Sequence, residues 1–77
     1  MPTETDLIKA RIAACADQAQ TNAATCGGDD SMAASDLLCA FILICQQNDA
    51  DPDAALASFM PHGKSAVADL FPKYTVN

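Results

Sequence analysis

From Leu37 the chain reads Leu37-Leu38-Cys39-Ala40-Phe41-Ile42-Leu43-Ile44-Cys45, nine apolar residues without a polar one between them. A run of this length is either a buried strand or the middle of a helix. No second run in the 77 residues offers a strand for it to pair with, so it reads as helix. The helix is expected to extend from about Ser31 to Gln47, with Asp30 or Ser31 as its N-cap. A helix that is apolar on nearly every face belongs at the centre of a bundle or under a partner. Its spacing lets Leu38, Phe41, Ile42 and Cys45 face a preceding helix, while Leu37 and Ile44 turn toward later ones. Should Ile42 or Leu43 stay exposed, the patch is expected to drive self-association.

Outward from this centre, the chain divides into four helical segments rich in alanine, the best helix former. The first is expected from about Thr3 to Gln20. Thr3 or Thr5 can cap it, and Glu4 and Asp6 suit the positive helix start. Leu7, Ile8, Ile12, Cys15 and Ala19 make its apolar stripe, while Lys9, Arg11, Asp17 and Gln18 face away. Thr21 to Asp30 reads as a loop, because Asn22, Thr25, Gly27, Gly28, Asp29 and Asp30 are turn formers. After the central helix, Asn48 to Asp51 make a stop and Pro52 a new start. A short third helix from Pro52 to Met60 buries Leu56, Phe59 and Met60. Pro61-His62-Gly63 breaks the chain there. A fourth, from Lys64 to Phe71, buries Val67, Leu70 and Phe71, and Pro72 ends it. Tyr74 and Val76 are expected to pack as a tail. The expectation is one all-α domain over residues 1–77, a small four-helix bundle with two longer helices followed by two short ones.

Ten acids against four bases give a formal net charge of -6. That balance disfavours nucleic acid and anionic lipid, which need cations to displace counterions, and favours partners with basic or apolar surfaces. The four aromatic residues offer little platform for stacking bases. Nine apolar residues fall short of the ~20 that span a bilayer. The acid-bearing N-terminus does not read as a secretory signal, so a cytoplasmic protein is expected. A chain this short holds on the order of 3–5 kcal/mol of net stability in its core, which leaves little for a water-excluding active site. No enzyme activity is expected.

Cys15, Cys26, Cys39 and Cys45 contain no C-x-x-C pair, which excludes the zinc-ribbon, iron–sulfur and thioredoxin patterns. Free, buried thiols are the expectation for a cytoplasmic chain. The alternative is a secreted hairpin stapled by Cys15–Cys45 and Cys26–Cys39. His62 lies between Pro61 and Gly63 and reads as a turn residue. The acids of Asp49 to Asp53 lack the glycine and terminal Glu of a calcium loop and read as helix-start charges. Gly63-Lys64-Ser65 lacks the upstream glycine and strand of a phosphate-binding loop. Cys26, beside the glycines, is the one cysteine placed for nucleophilic chemistry.

Gly28-Asp29-Asp30-Ser31-Met32 is the sharpest motif. It puts a serine at an exposed helix start, where backbone N–H groups favour an attached phosphate. Here the chain resembles the acyl and peptidyl carrier proteins, whose attachment motif reads Gly-x-Asp-Ser-Leu or -Met. Asp36-Leu37-Leu38-Cys39-Ala40-Phe41 is similar to the family's second helix, Leu7 to Ile12 to its first, and Ser65 to Phe71 to its last. The resemblance implies a 4'-phosphopantetheine arm on Ser31, with Asp30 and Met32 as the flanking motif residues and the bundle core as shelter for an acyl chain. The alternative function is a small acidic interaction protein, such as an inhibitor, assembly factor or accessory subunit, acting by protein binding alone, with self-association as one form of it.

Overall fold

A computed structural model describes residues 1–74 of the chain. Among them there are three α-helices: α1 over Glu4–Thr25, α2 over Asp30–Gln47 and α3 over Pro52–Leu70. A 3-10 turn over Pro72–Tyr74 follows. The described residues are all helical in class, as expected, but the four-helix bundle is replaced by three helices. Val76 lies outside the described residues. The chain forms two compact units, Met1–Phe41 and Ile42–Asn77, with the division falling inside α2.

Each helix start is written in local chemistry. Thr3 caps α1 in a capping box: its Oγ1 accepts from Asp6 N–H at 3.1 Å, and Asp6 Oδ2 accepts from Thr3 N–H at 3.1 Å. Hydrogen bonds to it from the Thr3 backbone N–H and then the Thr3 side chain, together with the charge of Lys9, hold the Asp6 carboxyl below its ordinary range. Asp51 caps α3 by accepting from Asp53 N–H at 3.0 Å, with Pro52 in the first turn. The cap of α2 is neither Asp30 nor Ser31 but Asp29, whose Oδ1 accepts from Met32 N–H at 3.1 Å. Asp30, Ser31 and Met32 are therefore the first three residues of the helix proper.

The ends are equally specific. α1 runs past the expected Gln20 to Thr25. Ala23 and Ala24 favour helix more than Asn22 and Thr25 oppose it, and Thr25 Oγ1 bonds back to the Thr21 carbonyl at 2.9 Å. The loop shrinks to Cys26 through Asp29. Gly27 takes a positive φ of 77°. Gly28 N–H then reaches the Ala23 carbonyl at 2.8 Å, and Gly27 N–H reaches that of Ala24 at 3.0 Å. This is a Schellman cap. α2 ends the same way, with Asp49 at φ 57° in the place glycine usually takes. Ala50 N–H meets the Cys45 carbonyl at 2.8 Å, and Asn48 Nδ2 satisfies that of Ile44 at 2.8 Å.

The expected break at Pro61 does not occur. Proline removes one donor but its φ is helical, and a helix can absorb that loss when its neighbours favour it. Ala54, Ala55 and Ala57 before it, and Ala66 and Ala68 after it, are strong helix formers, and α3 continues through Pro61, His62 and Gly63. His62 is thus an exposed helix residue and not a turn residue, and Gly63 to Ser65 are helix and not a phosphate loop.

The buried residues are small. In the first unit Ala19 and Ala23 of α1 pack with Ala33 of α2 in one cluster. Ile8 and Ile12 are half-buried on the same stripe, but Leu7 and Cys15, expected inside, are exposed. These three alanines flank the connection between the two helices. In the second unit Cys45 is buried, and Ile42, Leu56, Leu70 and Phe71 are half-buried. Phe59, Met60 and Val67, expected inside, are exposed. So are Leu37, Leu38 and Ile44 of α2. All four cysteines are free thiols, and only Cys45 is buried; Cys15, Cys26 and Cys39 depart from the expectation of buried thiols.

Candidate functional site

The candidate site is the connection from α1 to α2. The Schellman turn at Gly27 and the Asp29 cap fix its path, and both are backbone-directed, so its shape is set by the chain and not by distant packing. Gly28 is held close: a methyl group on its Cα would collide with the Met32 side chain and sit 3.2 Å from the Ala23 carbonyl oxygen. The Met32 side chain lies against Gly28 and is itself exposed.

Ser31 stands exposed in the first turn of α2, flanked by the exposed Asp30 and preceded by the capping Asp29. The helix start favours negative charge there. The two adjoining carboxylates oppose it, so a free phosphate has little reason to dwell at this point. A phosphate diester made covalently on Ser31 does not depend on such affinity. The structure therefore brings Ser31, Asp30 and Met32 together in one turn, with the hydroxyl open to solvent.

The packed cluster of the first unit is three alanines. An open groove of about 530 Å³ does run between α1 and α2 in this unit, lined by Arg11, Cys15, Gln18 and Asn22 on one side and Asp36 and Leu37 on the other. Arg11 and Gln18, expected to face away, thus border it. At ~100° per residue, Ser31 sits roughly 120–180° around α2 from the residues that line the groove. The groove and the serine belong to opposite faces of the helix.

The remaining sequence candidates resolve into structural roles. Asp49 forms the left-handed turn, Asp51 caps α3 and Asp53 lies in its first turn, which is the helix-start charging that their spacing implies. Cys26 is the exposed C-cap of α1. Among the described residues no group of three His, Cys, Asp or Glu side chains gathers around a common point, and no helix is long and apolar enough to cross a membrane.

Of the patch expected at Ile42 or Leu43, Leu43 is exposed and Ile42 half-buried, and the exposed apolar surface extends further. Leu37, Leu38, Leu43 and Ile44 on α2, and Phe59 and Met60 on α3, are all largely exposed. Compared with known proteins, the chain matches no family model, no curated protein and no solved structure.

Proposed function

We propose that this chain acts by binding protein surface through the apolar faces of its helices, with no catalysis of its own. The observation that carries the reading is the inversion of burial: among the described residues the buried ones are three alanines and a cysteine, while leucines, isoleucine and phenylalanine lie outside. Fully burying one such large side chain is worth roughly 1.5–3 kcal/mol. Several of them together supply enough to drive a specific association. The uncharged span from Leu37 to Asn48 adds to this, because a partner meets no carboxylate along it. A photoreactive phenylalanine analogue at position 44, irradiated in the cells that make the protein, should give a discrete covalent adduct with a protein. The same analogue at position 17, a polar position, should not. No adduct from position 44 would defeat the reading.

A second reading is favoured by one separate observation, the exposed Ser31 hydroxyl in the first turn of α2. On this reading the chain is a carrier that bears 4'-phosphopantetheine on Ser31 and presents it to partner enzymes with basic surfaces. Expression beside a broad-specificity phosphopantetheinyl transferase should then raise the intact mass by one such group, and Ser31→Ala should abolish the gain. An unchanged mass across several transferases would remove this reading and leave the first intact.

A further inference from the structure

We propose that the groove between α1 and α2 seats a helix of a different protein, one that presents an acidic and a basic side chain about two turns apart on one face. The inference rests on the protein-binding reading above and names the chemistry of the partner. The groove lies wholly within the first unit, Met1–Phe41. On α1 it is lined by Arg11, Cys15, Gln18 and Asn22, which recur every three to four residues along one face. At ~1.5 Å per residue that row is roughly 16 Å long, about three helical turns. Between its polar members the lining is apolar, with Cys15 on one side and Leu37 and Ala40 on the other. A trough of this length between two helices suits a third helix lying along it.

Charge sets what that helix must carry. Arg11 and Asp36 both line the groove, and neither side chain has a partner among the described residues. Ala33 packs with Ala19 and Ala23, which puts Asp36 near the level of Gln18 on the neighbouring helix. Arg11 lies about two turns further along α1, roughly 10 Å away along the axis. At its end the guanidinium can take a carboxylate through two parallel N–H bonds. At the other end a cation meets the Asp36 carboxylate and also Gln18, whose Nε2 donates to Asn22 Oδ1 at 2.9 Å and whose carbonyl oxygen is left to accept. Both partner side chains must leave the partner on one side. In a helix, residues about seven apart meet that condition, since two turns advance ~10 Å. In a strand the same distance is roughly three residues, and those point to opposite faces. The spacing therefore selects a helix, with its acid and base in either order. A polyanion finds only one cation here, and the net charge of -6 turns away both a polyanion and a second copy.

The test uses the full chain and two synthetic alanine-rich helical peptides bearing a fluorophore. One peptide has Glu and then Lys about seven residues apart, with leucine between them on the same side; the other has the two charges exchanged. At least one should bind saturably by fluorescence anisotropy and weaken with salt. Arg11→Glu should weaken that binding about tenfold, and a peptide with Lys in place of its Glu should recover it. Lys64→Glu makes the same change of charge in the second unit and should leave binding as it was. The bound peptide should also shield Cys15 from a thiol reagent, while the exposed Cys26 and Cys39, outside the groove lining, still react. Circular dichroism checks that Arg11→Glu keeps its helices. Should it lose them, Asp36→Lys against a peptide with Glu in place of its Lys makes the same exchange from the other end. Overturning results are no saturable binding of either peptide, an affinity that Arg11→Glu leaves unchanged, or a Cys15 no less reactive with peptide bound. A chain that light scattering finds paired when alone, and single as Arg11→Glu, would seat its own copy in the groove and overturn a foreign partner. The protein-binding reading itself stands or falls on the adduct from position 44, which lies outside the groove lining, so loss of the groove alone leaves that reading intact.

Discussion

Among the described residues, Gly27 and Asp49 hold backbone conformations with positive φ, and only the first is glycine. Gly27 accepts φ 77° at no steric cost, while Asp49 at φ 57° bears a Cβ against it. Replacing Asp49 by Gly should therefore stabilise the protein by roughly 0.5–1 kcal/mol, and Gly27→Ala should destabilise it by about as much. Both shifts are read from urea unfolding midpoints. At the other end of α1 the Thr3–Asp6 box makes a pH-dependent statement. Asp6 is held below its ordinary value of 3.8 by its hydrogen bonds with Thr3. A depressed carboxylate contributes stability that is present above the unfolded value and is lost as pH falls through the folded one. Thr3→Ala removes the hydroxyl but keeps the backbone N–H, so it should return the Asp6 titration only part of the way to its ordinary value, followed by NMR of the side-chain carboxyl, and the first turn of α1 should then fray at higher pH than before.

At the scale of elements, the starts of α1 and α3 were legible because capping is local: Thr3 with Asp6, and Asp51 with Pro52, announce themselves within four residues. The end of α1 and the continuity of α3 were not. Whether Pro61 breaks a helix depends on how well the flanking turns hold without one hydrogen bond, and no single residue states that. The helix carries Pro61 at a cost, since proline in a helix interior is about 3 kcal/mol less favourable than alanine. Pro61→Ala restores a donor for the Ala57 carbonyl and should raise the thermal midpoint measured by circular dichroism. A lowered midpoint would show that the proline is required where it stands. The α1–α2 contact makes the opposite demand. Ala23 is 2% exposed and Ala33 4%, so Ala33→Leu should cost about 1–3 kcal/mol by overpacking, seen as a lower urea midpoint.

For the whole molecule, the all-helical class followed from the central apolar run, from the alanine bias and from the absence of any strand partner for that run. The arrangement of the core did not follow. Reading burial from hydrophobicity places the leucines and isoleucines inside, whereas among the described residues the buried ones are three alanines near the α1–α2 connection and Cys45, and Leu37 and Ile44 are exposed. The same inversion changes what Phe41 does. Half-buried, it is not the keystone that a central-helix reading makes of it, and Phe41→Ala should weaken the protein without abolishing its helical circular dichroism. The Ser31 motif was legible as a motif and resolves into an exposed serine beside an Asp29 cap, with the groove on the other face.

The four free thiols differ in a way that supplies a clock. Cys15, Cys26 and Cys39 meet solvent, and Cys45 does not. A chromogenic thiol reagent should thus consume three cysteines in a fast phase and the fourth only when the second unit opens. The slow phase, measured without denaturant, would time that opening directly, in an unmodified protein and without any added label.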